Sequence, residues 1–408
     1  MRVGIVHDYL AQSGGAERVI EAMHAMWPDA PIFTSVYDRA ATLKSFADMD
    51  VRTSFLQRWG WARTAKYHKL ALPFFPLAFE SFDFAGYDCV ISNTTGFAKG
   101  VITGPETCHI CYCHTPARFA WRSHEYLAQN GYGATKRRVL TILLHFLRNW
   151  DYAAAQTRVD YFLANSYNIT RRIRKYYGRA SRVLYPPVET NRFMLAQRPA
   201  ADFFLVVSRL LPYKRVDLAI AACNALGVPL KVVGGGPDLA RLRSLAGPTV
   251  EILGRQPDAE VQRLMRECKA FIFPGEEDFG IAPVEAMASG RPVVAFGAGG
   301  ALETVIAGET GVFFDEPTVE SLAEALEQVG RLSVDGERLR RHATRFDVLH
   351  FQARLRLLVD ECTSEHRARY ATLSPAFGKG DSPLPPRSHE DGMPDWSGDQ
   401  PLSAGDRR

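Results

Sequence analysis

Short, unbroken apolar runs alternate with amphipathic stretches along most of the chain. In the second half the runs fall at Phe203–Val207, Leu230–Val233, Val250–Leu253, Ala270–Phe273, Pro292–Phe296 and Val312–Phe314. Continuous apolar character over so few residues fits a strand buried on both faces, as in a parallel sheet. The segments between them, Arg215–Ala225, Asp238–Ala246, Asp258–Glu267 and Gly280–Ser289, carry helical periodicity. Regular strand–helix alternation with short loops predicts a doubly wound α/β domain. The first half repeats the pattern with longer insertions, at Val3–Val6, Ile32–Ser35, Cys89–Ser92, His109–Cys113 and Tyr161–Ala164. Two prolines within Tyr185–Asn191 forbid helix there and mark a hinge. Asp347 is placed to cap a last helix running to about Asp360. From Ser374 to Arg408 the chain is rich in Pro, Gly and Ser without apolar periodicity, which predicts a disordered tail.

Composition changes this picture little. A length of 408 residues implies two domains, and 46% hydrophobic with 23% charged residues is ordinary for a soluble globular protein. The net charge of +4 is unevenly spread. Val51–Phe79 holds no acid, and Arg52, Arg58, Arg63, Lys66 and Lys69 sit there among Trp59, Trp61, Phe74 and Phe75. Tyr126–Trp150 is also acid-free, with Lys136-Arg137-Arg138 ahead of the apolar run Val139–Phe146. Such segments suit either an anionic membrane surface or the solvated faces of buried helices. No run is long enough to span a bilayer, and Met1–His7 reads as a core strand rather than a signal peptide. Seven cysteines without framework spacing fit a reducing cytoplasm.

The chemistry concentrates at Phe271-Ile-Phe-Pro-Gly-Glu-Glu-Asp-Phe-Gly-Ile-Ala-Pro-Val-Glu-Ala-Met-Ala-Ser-Gly290. A buried strand ends at Pro274-Gly275, Glu277 lies on the following loop, and Glu285 sits a turn inside the next helix. The first amides of that helix, at Gly280 and Ile281, favour an anion. Two flanking carboxylates would repel a bare phosphate, so they call for hydroxyl groups as well. Phosphate and hydroxyls together describe a nucleotide sugar.

The segment resembles the Glu-x7-Glu motif of retaining GT-B glycosyltransferases of family GT4. The resemblance implies that Glu277 holds sugar hydroxyls, that Glu285 holds the ribose, and that Phe279, Gly280 and Ile281 line the donor. Further matches appear in the family's order along residues 1 to 363. Arg209 and Lys214 resemble the Arg-x4-Lys pair that clamps the donor diphosphate, where two cations stabilise a leaving phosphate. Gly234-Gly-Gly-Pro237 is either the family's phosphate-side turn or a plain tight turn. Gly254-Arg255 stands where the family reads the base. Gly14-Gly15 resembles the loop whose bare backbone approaches the donor phosphate. Asp8 either contacts the acceptor or caps the turn.

Cys108-His-Ile-Cys-Tyr-Cys-His114 invites a metal reading. Strand alternation separates same-face neighbours by ~6–7 Å, too far for one tetrahedral zinc. His114, emerging at the strand end, instead matches the family's active-site histidine. Tyr112–Trp121 is similar to a bacterial branch of mannosyltransferases building O-antigen and exopolysaccharide.

These matches imply a GT-B fold. Residues 1–188 would form an acceptor-binding Rossmann-like domain joined by a crossover helix at 347–363, and 189–346 the nucleotide-sugar domain. The implied activity is mannose transfer from GDP-mannose to a lipid-diphosphate-linked glycan, at the inner face of the plasma membrane and without a metal or other cofactor. A UDP-sugar transferase, a non-catalytic nucleotide-sugar binder and an epimerase of the same fold are the alternatives.

Overall fold

The computed structural model describes residues 1–60, 68–124, 133–195, 200–333 and 335–371. Arg63, Lys66 and the tail 374–408 therefore lie outside the described residues. Two all-parallel sheets carry the fold. The first is ordered β3-β2-β1-β4-β5-β6-β7. Its strands are β1 (Val3–His7), β2 (Ile32–Thr34), β3 (Val51–Thr53), β4 (Cys89–Thr94), β5 (Cys108–Cys113), β6 (Tyr161–Ala164) and β7 (Arg182–Val183). The second is ordered β10-β9-β8-β11-β12-β13. It comprises β8 (Phe204–Val207), β9 (Leu230–Val233), β10 (Val250–Gly254), β11 (Ala270–Phe273), β12 (Val293–Phe296) and β13 (Gly311–Phe314).

Every residue of β1, β4, β5 and β11 is buried, which is why these strands read as largely apolar runs, and the polar exceptions His7, Asn93 and His109 are hydrogen-bonded. The two strands that periodicity does not predict, β3 and β7, are three-residue and two-residue edge strands without a buried residue. They are too short to carry a period.

Both sheets reverse strand order at one point, between β1 and β4 in the first and between β8 and β11 in the second. In open α/β sheets the crevice at the carboxyl ends of such strands receives ligands. The motif loops occupy that crevice. Gly14-Gly15 follows β1, His114 follows β5, Arg209 follows β8 and Glu277 follows β11.

The hinge and the return crossing lie side by side. The Val188 N–H donates to the Phe346 carbonyl at 2.9 Å, and the Val348 N–H donates to the Val188 carbonyl at 3.1 Å. The last helix, Val348–Ala371, then packs on the first sheet, where Phe351, Leu355, Leu358, Val359 and Cys362 join Ile5, Ile91 and Ile110 in one core. It runs well past the predicted end near Asp360. Beyond that point Cys362 and His366 remain buried, and His366 Nε2 lies 2.9 Å from the Pro105 carbonyl. Two sheets facing a cleft, closed by a helix crossing back, is the expected GT-B architecture.

All seven cysteines are buried and unpaired. Cys108 does meet two other metal-capable groups, Asp160 and His366, but at the sheet edge opposite the cleft. There His366 Nδ1 stands 3.6 Å from Asp160 Oδ2, the geometry of an ion pair.

Candidate active site

The loop after β11 carries three acids in a row, and each has a cationic partner. Glu277 pairs with Lys214 across the β8 and β11 loops. Asp278 pairs with Arg118 and, at 2.6 Å, with Arg172, while Glu276 meets Arg172 at 3.0 Å. Arg118 and Arg172 belong to the N-terminal half, so they tie the loop to the facing domain. Ser166 Oγ adds a bond to the Asp278 carbonyl at 2.7 Å. Glu303 reinforces the closure by accepting from the Tyr167 and Asn168 amides at 2.8 and 2.9 Å. These two amides lie in the first turn of helix Tyr167–Tyr177, where a carboxylate is favoured by the exposed N–H groups. Sequence patterns missed Arg118, Arg172, Asp278 and Glu303, because their meaning lies in pairing across the cleft.

Arg209 and Lys214 both reach the cleft but do not act alike. Lys214 is mostly buried against Glu277, whereas Arg209 is exposed and its Nη1 donates to Gln12 Oε1 at 3.1 Å. The glycine turn after β9 has a steric reason. A Cβ on Gly234 would stand 1.8 Å from the Ser208 carbonyl oxygen, and one on Gly236 2.2 Å from that of Leu210. Bare backbone there lets the turn support the loop holding Arg209. Arg255 lies over the same turn, within 3.0 Å of the Cβ position of Gly235.

On the opposite wall, Gly15 comes so close to the second domain that a Cβ would stand 2.8 Å from Ile281 Cδ1. Beneath this loop runs a hydrogen-bonded chain. Gln12 Nε2 donates to Glu17 Oε1 at 3.1 Å, and His7 Nε2 stands 3.5 Å from the same oxygen. His7 Nδ1 meets the Asn93 carbonyl at 3.1 Å, and Asn93 Oδ1 meets His114 Nε2 at 2.6 Å. Burial opposes charge on His7, but the adjacent Glu17 carboxylate outweighs it and raises the imidazole pKa. Burial also opposes charge on Glu17, and its bond to His7 overcomes that too. His114 differs. Burial, then the positive charge of His7, lower it to about 4, so it is a neutral imidazole near pH 7.

Asp8 takes the second of its two expected roles, and Phe279 departs from its own. Asp8 accepts from Thr94 Oγ1, the Thr95 amide and hydroxyl, and the Phe97 and Ala98 amides, all within 3.1 Å. With five donors on two oxygens, it caps the turn after β4 and has little capacity left for an acceptor. The Phe279 side chain is 3% exposed and packs between Tyr185 and Phe346, with ring centroids 5.5 Å away in each case. Only its backbone is left to line the cleft.

Glu285 opens on a cavity of about 130 Å³ shared with Arg18, Glu189, Arg192 and Ile281. Burial raises its pKa to about 7, against the pull of Arg18 and Arg192. Those arginines are engaged elsewhere. Arg192 pairs with Glu189 at 2.7 Å and Asp258 at 2.5 Å, and Arg18 with the same two acids at 3.7 and 3.4 Å. This hinge-side cluster links the domains a second time, beside the loop after β10 that carries Gly254 and Arg255. A larger cavity, about 360 Å³, lies near Leu195, Lys269 and Gly336 at the amino edge of the second sheet. None of the expected site residues lines it.

The chain is similar to known glycosyltransferases in sequence and fold. Residues 187–345 match the family model described as Glycosyl transferases group 1. An uncharacterized glycosyltransferase of Methanocaldococcus jannaschii is 28% identical over 192 residues, 46% of this chain and 53% of that protein. A GDP-mannose-dependent alpha-(1-6)-phosphatidylinositol monomannoside mannosyltransferase of Mycobacterium tuberculosis is 32% identical over 166 residues, 36% of this chain and 42% of that protein. The matches thus span about half the length of these relatives. Among solved structures, Anabaena HepE in complex with UDP-glucose superposes with a TM-score of 0.66 at 20% identity, covering 88% of this chain and 100% of that one. Sucrose-phosphate synthase of Thermosynechococcus elongatus superposes with a TM-score of 0.71 at 16% identity, covering 90% of this chain and 100% of that one.

Proposed function

We propose that this chain, which belongs through residues 187–345 to the group 1 glycosyl transferases, transfers a hexose with retention of configuration. The observation that carries the reading is the Lys214–Glu277 pair, set between the two switch-point strands of one domain and facing Gly14-Gly15 and His114 of the other. In this reading Lys214 and Arg209 neutralise the donor diphosphate as the sugar leaves, aided by the amides of Gly280 and Ile281. Glu277 accepts hydroxyls of the sugar, and Glu285 those of the ribose. Gly254 and Arg255 border the base. His114, neutral and oriented by Asn93, contacts the sugar from the N-terminal side. The leaving phosphate deprotonates the acceptor hydroxyl on the same face, so no enzymatic carboxylate nucleophile is needed. Fixed cations supply the positive charge, and the mechanism calls for no metal.

The favoured donor is GDP-mannose and the favoured acceptor a lipid-linked glycan of bacterial surface polysaccharide, met at the cytoplasmic face of the membrane. The mycobacterial relative, named for GDP-mannose and a lipid acceptor, supports this choice. A UDP-sugar donor is the second reading, favoured by the fold shared with a structure that holds UDP-glucose. Thermal stabilisation by GDP-mannose, UDP-glucose and UDP-N-acetylglucosamine separates the two, since ligand binding raises stability by mass action. Stabilisation by none of them would remove the nucleotide-sugar reading altogether. Glu277→Gln should weaken the intact nucleotide sugar about tenfold or more while free nucleotide binds normally. Equal losses for both ligands would move Glu277 away from the sugar.

Glu285 makes a pH-dependent prediction. Its folded pKa of about 7 lies above its ordinary 4.5, so without ligand its stabilising contribution is complete below 4.5 and disappears as pH rises through 7. Ribose hydroxyls donate to the ionised form. Nucleotide affinity should therefore climb as pH passes upward through 7, and Glu285→Gln should lose that climb. Calorimetric titration of both proteins across this range measures the difference. A parallel pH profile in the variant would assign the ribose contact to another residue.

A further inference from the structure

We propose that the outward face of helix Ala134–Thr157 seats the N-terminal domain on an anionic lipid bilayer. The lipid-linked acceptor of the preceding section gives this contact its purpose, but the attachment itself stands on separate observations. The helix buries Leu144, Leu147, Asp151, Ala154 and Ala155, and leaves Val139, Ile142 and Phe146 61%, 60% and 65% exposed. These three stand three and four residues apart, hence on one face. Leu77 of the helix Phe75–Glu80 and Phe74 just before it are 57% and 43% exposed, and Phe75 and Phe79 of that helix share a core with Leu143 and Trp150. An exposed apolar group of this size marks an interaction surface.

Charge selects the occupant. Lys136, Arg137 and Arg138 are exposed in the first turn of the same helix, and no acid occurs between Gly133 and Trp150. Cations in a first turn oppose the helix dipole, so helix stability does not explain them. Basic residues flanking large apolar side chains match the interface of an anionic bilayer. The helix would lie in the membrane plane, because no described helix is long and apolar enough to cross it. The face draws on both acid-free segments, since Phe74 and Leu77 belong to Val51–Phe79. In the Val51–Phe79 segment, Arg52 is paired with Asp50 at 2.8 Å, and Arg63 and Lys66 lie outside the described residues.

The test is co-sedimentation of the full chain with phosphatidylcholine vesicles, with and without phosphatidylglycerol. Wild type should bind only the anionic vesicles and less at high salt. Ile142→Asp/Phe146→Asp and Lys136→Glu/Arg138→Glu should each bind about tenfold less. Both variants should keep wild-type circular dichroism and wild-type stabilisation by nucleotide. No binding of wild type at low salt would overturn the proposal. So would equal binding by the Ile142→Asp/Phe146→Asp protein, or a wild-type dimer that this variant converts to monomer without any lipid binding. Vesicle binding by a protein that no nucleotide sugar stabilises would leave this surface standing and sink the transferase reading alone.

Discussion

Lys214→Ala should lower turnover about a hundredfold or more, the cost of losing one preorganised charge at a leaving group. The substitution acts twice. It removes the cation expected to hold the departing diphosphate, and it leaves the Glu277 carboxylate without its partner in a mostly buried setting. An unpaired carboxylate there repels the phosphate it should accompany, so kcat falls further than simple charge loss implies. Arg209→Ala should cost less. Arg209 is exposed and already shared with Gln12, so part of its role passes to solvent. Steady-state kinetics with the best donor, alongside circular dichroism, resolves the two. Wild-type turnover in Lys214→Ala would exclude the pair from the chemistry, and equal losses in both variants would make them one clamp.

The largest stability effect is expected at Asp151→Asn, about 3–5 kcal/mol, because it leaves a buried ammonium without its counter-charge. Lys99 and Asp151 are 1% and 3% exposed and directly paired. Asp151 also accepts from Trp121 Nε1 and the Tyr177 hydroxyl, each at 2.7 Å. Burial disfavours charge on Lys99, and the Asp151 carboxylate reverses that, raising its pKa. The pair supports the site, since Lys99 also holds the Gly96 carbonyl in the turn that Asp8 caps. Urea unfolding of Asp151→Asn, Lys99→Met and the double variant measures it. The double variant should recover much of the loss, because it removes the orphaned charge. A single-variant cost below about 1 kcal/mol would place the pair no higher than a surface ion pair.

All the strands but β3 and β7, their order of appearance and the loops that bear the motifs were legible in the sequence. A strand buried on both faces is mostly apolar, and that requirement is local to a few residues. The positions of Glu277, Arg209 and Gly14-Gly15 at strand ends followed from it. The end of the last helix was not legible, because its final turns are held by Pro105 and the first sheet rather than by its own periodicity. Partners were not legible either. Lys214 rather than Arg209 faces Glu277, Asp8 is consumed by its own domain, and Phe279 turns into the core. Arg118 and Arg172 gain meaning only from Asp278, more than a hundred residues away. The two charge states of His7 and His114 depend on what burial and Glu17 do at one point in space. Element formation is decided within a few residues, whereas side-chain pairing and pKa depend on strand order and domain closure, which place distant residues together.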